Sequence, residues 1–76
     1  MRYYFDLEAD GHSTTDHEGT ECQSFDDMRL LSMRFLTEVA RDSADTDDGL
    51  LLRTTVRDAM GIAVYESTLT LSGHAL

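Results

Sequence analysis

The sequence predicts a small α+β domain, residues 1–76, in which one helix packs across one face of a small antiparallel sheet. Residues 2–8 alternate between apolar and polar side chains, which is the period-two pattern of a half-buried strand. Residues 24–43 carry apolar side chains at helical spacing. Two further strand-like segments, 50–57 and 62–71, are joined by a turn. The predicted order is therefore β-β-α-β-β.

The first strand is expected to place Tyr3 and Phe5 on the face that meets the helix. Tyr4 then lies on the opposite face among acidic side chains. Because one helix covers one face, we expect the opposite face to be open and to carry Tyr4 with Leu51 or Tyr65. Exposed aromatic side chains on that face would suit a dimer or a partner peptide.

The segment between the first strand and the helix is polar. Asp10 and Gly11 are the favoured pair for a tight turn, and residues 9–18 as a whole indicate a turn-like connection. A short second strand is predicted over residues 19–23, whose side chains favour a strand only weakly.

The helix has a clear start signal. Ser24 is a capping residue, Asp26 and Asp27 place negative charge in the first turn, and Asp27 occupies the acidic position of a capping box. We expect the helix to end at residues 41–43, before an acidic loop at 44–49.

The helix carries an apolar stripe that we expect to face the core. Its members are Phe25, Met28, Leu31, Phe35, Leu36 and Val39. Leu30 and Met33 lie outside this stripe. They are either ordinary surface residues or an extension of the buried face into a subunit contact.

The last two strands read as a hairpin closed by residues 58–61, with Gly61 suited to a positive φ. Alternation in the final strand is imperfect, because strict alternation would place Val64 on one face of the strand and Tyr65 and Leu69 on the other. Either a β-bulge shifts the register or both faces of this strand are partly covered.

Composition disfavours several classes of function. Six arginines and no lysine stand against fifteen acidic residues, for a net charge of −9. Binding to nucleic acid or to an anionic membrane depends on basic side chains, so neither is expected. The single cysteine, Cys22, cannot form an intramolecular disulfide. With no apolar segment at the start, this predicts a cytoplasmic protein.

The opening Arg-Tyr-Tyr-Phe-Asp-Leu at residues 2–7 resembles the start of a family of small bacterial domains of unknown function. Members of that family are frequent in rhizobia, sphingomonads and other alphaproteobacteria. Residues 16–21 are similar to its acidic Asp-x-Glu-Gly segment, and residues 56–61 to its Val-x-Asp-x-x-Gly hairpin. The resemblance covers nearly the whole chain. It implies a stand-alone cytoplasmic domain with no assigned activity, so no residue roles follow from it.

Residues 10–22 hold a dense group of side chains of metal-ligand type, including His12 and His17. Their spacing matches no zinc pattern, and a solvated loop is the simpler interpretation. The acidic loop at 44–49 does not match a calcium-binding loop either, because ligand positions fall on Ala44 and Thr55.

We therefore expect a non-enzymatic domain without a cofactor that binds a protein partner or forms a homodimer. Tyr4, Leu30, Met33 and Tyr65 are the candidate contact residues. One alternative is an acidic decoy that inhibits a nucleic-acid-binding protein, an idea that depends on the charge of −9 alone. Another is a small metal-binding sensor built on residues 10–22.

Overall fold

The computed structural model describes residues 1–43 and 49–76. Three strands precede the helix and two follow it. Their bounds are β1 Arg2–Ala9, β2 His12–Thr14, β3 Thr20–Glu21, α1 Phe25–Ser43, β4 Gly49–Arg57 and β5 Ala63–Ser72. The α+β prediction is confirmed, with the order β-β-β-α-β-β. Of the predicted acidic loop at 44–49, only Gly49 lies within the described residues, and it begins β4.

The strands form one antiparallel sheet in the order β2-β1-β4-β5, and β3 also pairs with β1. The chain runs back along the edge of β1 that faces away from β4. On that edge β2 pairs with residues 7–9 of β1, and β3 pairs with residues 2–3. β5 forms the opposite edge of the sheet.

A tight turn joins β1 to β2. Asp10 has a φ of 49° and Gly11 a φ of 87°, and Ala9 pairs with His12 directly across them. A two-residue loop with both φ angles positive matches the twist of the flanking strands. The turn prediction is confirmed.

The prediction that residues 9–18 form only a turn-like connection is wrong, because β2 lies within them. Its three polar residues are all exposed and follow a turn that sets their register. The second strand predicted at 19–23 exists in a shorter form, as β3.

Local hydrogen bonds define the start of α1. The Asp27 N–H donates to Ser24 Oγ at 3.0 Å, as expected for a cap. Asp27 Oδ2 accepts the N–H of Gln23 at 2.9 Å, one residue before the position used in a standard capping box. The helix ends at Ser43, with Arg41 in its last turn, as predicted. Within the described residues, no helix has both the length and the apolar character needed to span a bilayer.

The core lies between α1 and the sheet, where α1 packs against β4 and β5. It has two clusters of buried apolar side chains. The first contains Tyr3, Cys22, Met28 and Val56, and the second contains Leu36, Leu50 and Leu52. Of the predicted helical stripe, Met28 and Leu36 are buried, whereas Phe25 remains 48% exposed.

A small polar layer separates the two clusters. Ser32 lies one turn from Met28 and one turn from Leu36, and it is fully buried. Its Oγ lies 2.6 Å from the Oγ of Ser67. Beside Ser67, Thr54 is also fully buried, and its Oγ1 has no partner among the described residues. The apolar stripe did not predict this layer.

A β-bulge explains the imperfect alternation in β5. Val56 pairs with Tyr65 while the next residue, Arg57, pairs with Ala63, so Val64 is the extra residue. Tyr65 itself lies in the regular part of the ladder, opposite the buried Val56, and so faces the helix, where its ring meets Phe25 edge to face at 6.0 Å. The expectation that Tyr65 lies on the face of the sheet opposite the helix is therefore wrong.

Thr54→Val is expected to raise the free energy of unfolding by about 1 kcal/mol, because it removes a buried hydroxyl that lacks a partner and keeps the shape of the side chain. Urea denaturation measures the change. As a control, Ser67→Ala leaves the Ser32 hydroxyl unpaired and should lower the free energy of unfolding by roughly 1 kcal/mol. A destabilised Thr54→Val variant would contradict this account of the polar layer.

Candidate functional site

A groove of about 780 Å³ opens between α1 and the edge of the sheet formed by β2 and β3. Phe5 and Leu7 of β1 line its floor, and Leu31 and Phe35 of α1 line one wall. All four side chains are only half-buried. Residues 14–20 supply most of the other wall. The groove exists because α1 lies over β4 and β5 and leaves the helix-facing side of β1 incompletely covered.

Charged side chains surround this apolar floor. Glu18 lines the loop wall, while Arg34 and Glu38 line the helix wall. None of the three side-chain charged groups has an ion-pair partner within the described part of the chain. His17 also lines the groove, whereas His12 lies in β2, opposite Ala9.

Asp16 holds the loop wall against the sheet. Its Oδ2 accepts the N–H of Phe5 at 3.0 Å, and its Oδ1 accepts the N–H groups of Glu18 and Gly19, each at 3.0 Å. Phe5 lies between the parts of β1 that pair with β2 and β3, so the carboxylate replaces a missing strand partner there. Partial burial opposes ionisation of Asp16, but these three donors outweigh it and keep the pKa of its carboxyl below the usual value.

Arg57 connects this loop to the face of the sheet that α1 does not cover, here called the open face. Its Nε donates to Asp6 Oδ2 at 2.6 Å and its Nη2 to Asp6 Oδ1 at 3.1 Å. The same Nη2 donates to the carbonyl of Asp16 at 3.0 Å, and the Asp16 N–H donates to Asp6 Oδ1 at 2.9 Å. The bond from Arg57 is the main reason that the pKa of Asp6 is lowered, and it raises the pKa of Arg57.

Tyr4 lies on the open face, as the alternation predicted, and folding contacts account for its position. The Arg57 guanidinium carbon is 5.2 Å from the centre of the Tyr4 ring, within the range of a cation–π contact. The other candidate contact residues stay predictions, and the structure places them on different surfaces.

The open face is ionic. Arg53 lies between Glu8, at 3.4 Å, and Glu66, at 3.8 Å. The carboxylates of Glu8 and Glu66 thus each form an ion pair with Arg53, and that of Asp6 forms one with Arg57. The alternative of an acidic decoy, which depends on the net charge of −9 alone, stays a prediction.

The outer edge of β5 is a second candidate surface. β5 is ten residues long and pairs within the described sheet only with β4. On α1, Met28, Ser32 and Leu36 face the sheet, and Leu31 and Phe35 turn to the groove side. Helical geometry then places Met33 on the side of β5, where it is 47% exposed. We call the outer side of β5 together with Met33 the β5 edge.

Leu30 lies on the outward side of α1. At 100° per residue it points almost directly away from the sheet-facing Ser32, and it is 40% exposed. Leu30 and Met33 are three residues apart and therefore neighbours on the helix surface, but Met33 lies about 60° nearer the sheet, on the side of β5.

Cys22 lies in the first core cluster with 2% of its surface exposed. Burial raises the pKa of its thiol, and the nearby charge of Asp27 adds to the effect. This is the environment of a packing cysteine. Within residues 1–43 and 49–76, no group of three or more His, Cys, Asp or Glu side chains could hold a metal ion. The metal-sensor alternative stays a prediction.

A family described as a domain of unknown function (DUF6894) has a model that matches residues 2–70. The match supports the predicted resemblance to an uncharacterised domain family. It runs from the start of β1 into β5 and so includes the groove, the Asp16 loop and most of the β5 edge. No curated protein and no solved structure matches the chain.

Gly19→Ala should destabilise the domain more than Gly11→Ala. Both glycines have positive φ, of 75° and 87°, so alanine at either position costs about 1–2 kcal/mol. A Cβ on Gly19 would also lie 2.9 Å from Tyr4 Cε2 and 3.0 Å from the Tyr3 carbonyl, whereas one on Gly11 would meet nothing within 4 Å. Chemical denaturation should show a loss about 1–3 kcal/mol larger for Gly19→Ala. Equal losses would contradict the close packing of the Asp16 loop on Tyr4.

The domain should lose stability in acid because the carboxylates of Asp6 and Asp16 become protonated. Both carboxyls have pKa values in the folded protein below their ordinary value of 3.8. At a pH well above 3.8, both carboxylates make their full contribution to the free energy of unfolding. This contribution is lost as the pH falls below 3.8 and through the pKa values of the folded protein. We expect the free energy of unfolding, measured in urea, to decrease between about pH 5 and about pH 2.5, and to decrease less in Asp6→Asn. Asp42→Asn, at an exposed position on α1, is the control and should follow the parent protein.

Proposed function

The chain belongs to the family described as a domain of unknown function (DUF6894), and we propose that it acts as a non-enzymatic protein-interaction module that forms a homodimer through its β5 edge. The observation that carries this proposal is the length of β5, whose ten residues leave a long row of backbone groups at the rim of the sheet.

The β5 edge lacks the usual protection against pairing. Natural sheets blunt an edge with proline, lysine, short strands or inward-pointing charges. The sequence of β5 has no proline and no lysine, and Glu66, its single charged residue, is on the open face near Arg53. Its bulge lies at the β5 end near Ala63, so the longer remainder pairs with β4 in regular register.

A twofold axis beside β5 would pair it with β5 of a second copy in antiparallel orientation. Such an interface is isologous, because each copy offers the same surface. It would join two sheets into one, and it would bring the helices of both copies to the same face of the joined sheet. Met33 of each copy would then border the seam and add apolar contact area to the backbone hydrogen bonds.

This arrangement assigns different roles to the predicted contact residues. Met33 borders the seam, while Leu30 points away from it. Tyr4 lies under Arg57 near the other edge of the sheet, and Tyr65 packs toward Phe25. We therefore propose Met33 as the side chain among these four that contributes directly to the dimer.

Met33→Lys should raise the dimer dissociation constant roughly tenfold or more, because it places a charge beside the seam. Sedimentation velocity over a range of protein concentrations measures this constant. Leu30→Lys is the matched control on the same helix, and it should change the constant much less, because Leu30 points further from the sheet than Met33 does.

A second pair of variants tests the strand itself. Thr70→Lys adds a charge to an exposed position of β5, and Ser13→Lys adds the same charge to an exposed position of β2 at the opposite edge. Only Thr70→Lys should weaken the dimer. If the parent protein sediments as a monomer at millimolar concentration, or if Leu30→Lys and Ser13→Lys disrupt association as strongly as their counterparts, this proposal is wrong.

A further inference from the structure

The groove between α1 and the β2–β3 edge takes no part in the proposed dimer, because β5 lies at the other edge of the sheet. We propose that this groove binds a small amphipathic cation, a molecule with an apolar body and a protonated amine at one end. Its size, its apolar floor and the excess of carboxylates around it support this assignment.

The dimensions and lining suit the apolar part of such a ligand. Sites for small molecules have volumes of roughly 300–1,000 Å³ and are lined mainly by apolar side chains with a few polar groups. This groove has about 780 Å³. Phe5, Leu7, Leu31 and Phe35 present continuous apolar surface from two elements, and all four are only half-buried in the free domain. Covering them with an apolar chain would remove that surface from water.

The charges favour a positive end group. Three carboxylates line the groove, from Asp16, Glu18 and Glu38, against one guanidinium, from Arg34. Asp16 is already occupied by backbone N–H groups, but Glu18 and Glu38 have no ion-pair partner among the described residues. Glu18 lies on the loop wall and Glu38 on the helix wall, so an ammonium group at either wall would have a carboxylate beside it.

An anionic end group would meet the opposite situation. It would gain Arg34 but would approach three carboxylates next to an apolar surface, where charges are screened less than in bulk water. Arg34 therefore limits the affinity for a cation, and its removal should increase that affinity.

Three ten-carbon probes with the same apolar chain test the assignment: decylamine, decanol and decanoate, each below its micelle concentration. Binding is followed by NMR through the methyl resonances of Leu7 and Leu31, with Leu51 on the open face as the internal reference. We expect decylamine to bind at least tenfold more tightly than decanoate, with decanol between them, and to shift Leu7 and Leu31 but not Leu51.

Charge variants distinguish binding in the groove from the general attraction of a cation to an acidic protein. Glu38→Gln should weaken decylamine binding by roughly fivefold and leave decanol binding unchanged. Glu8→Gln makes the same change on the opposite face of the sheet and should have no effect. Arg34→Gln should strengthen decylamine binding. The Met33→Lys variant should bind decylamine like the parent protein, because Met33 does not line the groove. The groove proposal and the dimer proposal can therefore fail independently of each other.

Three results would overturn the inference. The first is equal or tighter binding of decanoate, which would make Arg34 the determinant. The second is an equal effect of Glu8→Gln and Glu38→Gln, which would mean that the amine responds to net charge alone. The third is the absence of any shift at Leu7 and Leu31, which would exclude the groove as the site.

Discussion

One α-helix has to cover a sheet that is four strands wide. A helix with its side chains is about 10–12 Å across, and neighbouring strands are about 4.8 Å apart, so one helix covers roughly two strands. In this domain α1 covers β4 and β5. The side chains of β1 that face the same way are left at the floor of a groove, and the outer side of β5 is left at the rim. Both candidate surfaces result from this one limit on coverage.

The edge of the sheet on the groove side is completed by a side chain as well as by strands. β2 and β3 are three and two residues long, and neither pairs with the middle of β1. The carboxylate of Asp16 accepts the N–H of Phe5 in that gap, and Arg57 ties the Asp16 carbonyl to Asp6. Because Asp16 also binds two N–H groups of its own loop, a polar segment with little strand preference forms a defined wall.

The features that sequence analysis predicted correctly depend on neighbouring residues. The Ser24 cap, the Asp10-Gly11 turn and the positive φ of Gly61 each involve contacts within a few positions. The features that it missed depend on packing between elements. Ser32 has no apolar character to mark it as core, yet it is fully buried because it lies opposite another small polar residue, Ser67. Val64 breaks the alternation of β5 because it is the extra residue of a bulge opposite Arg57, and the alternation alone did not show whether a bulge or two covered faces was the cause.

The candidate surfaces were only partly predictable for the same reason. Periodicity separated Leu30 and Met33 from the core stripe, but it did not show which of them borders β5, because that depends on where α1 lies on the sheet. No sequence pattern indicated the groove, because its apolar residues, such as Phe5 and Leu31, have the spacing expected of core residues. Their partial exposure follows from the position of the helix, which the sequence pattern does not encode locally.

By itself the sequence determined the α+β class, the bounds of α1, the hairpin turns and the strongly acidic surface, because each follows from local spacing or from composition. Only the tertiary structure decided the strand order β2-β1-β4-β5, the open side of β1 and the meeting of Asp6, Asp16 and Arg57. Asp6 and Arg57 are 51 positions apart. No local pattern reports such a pair, because it forms only when β1 and β4 lie side by side.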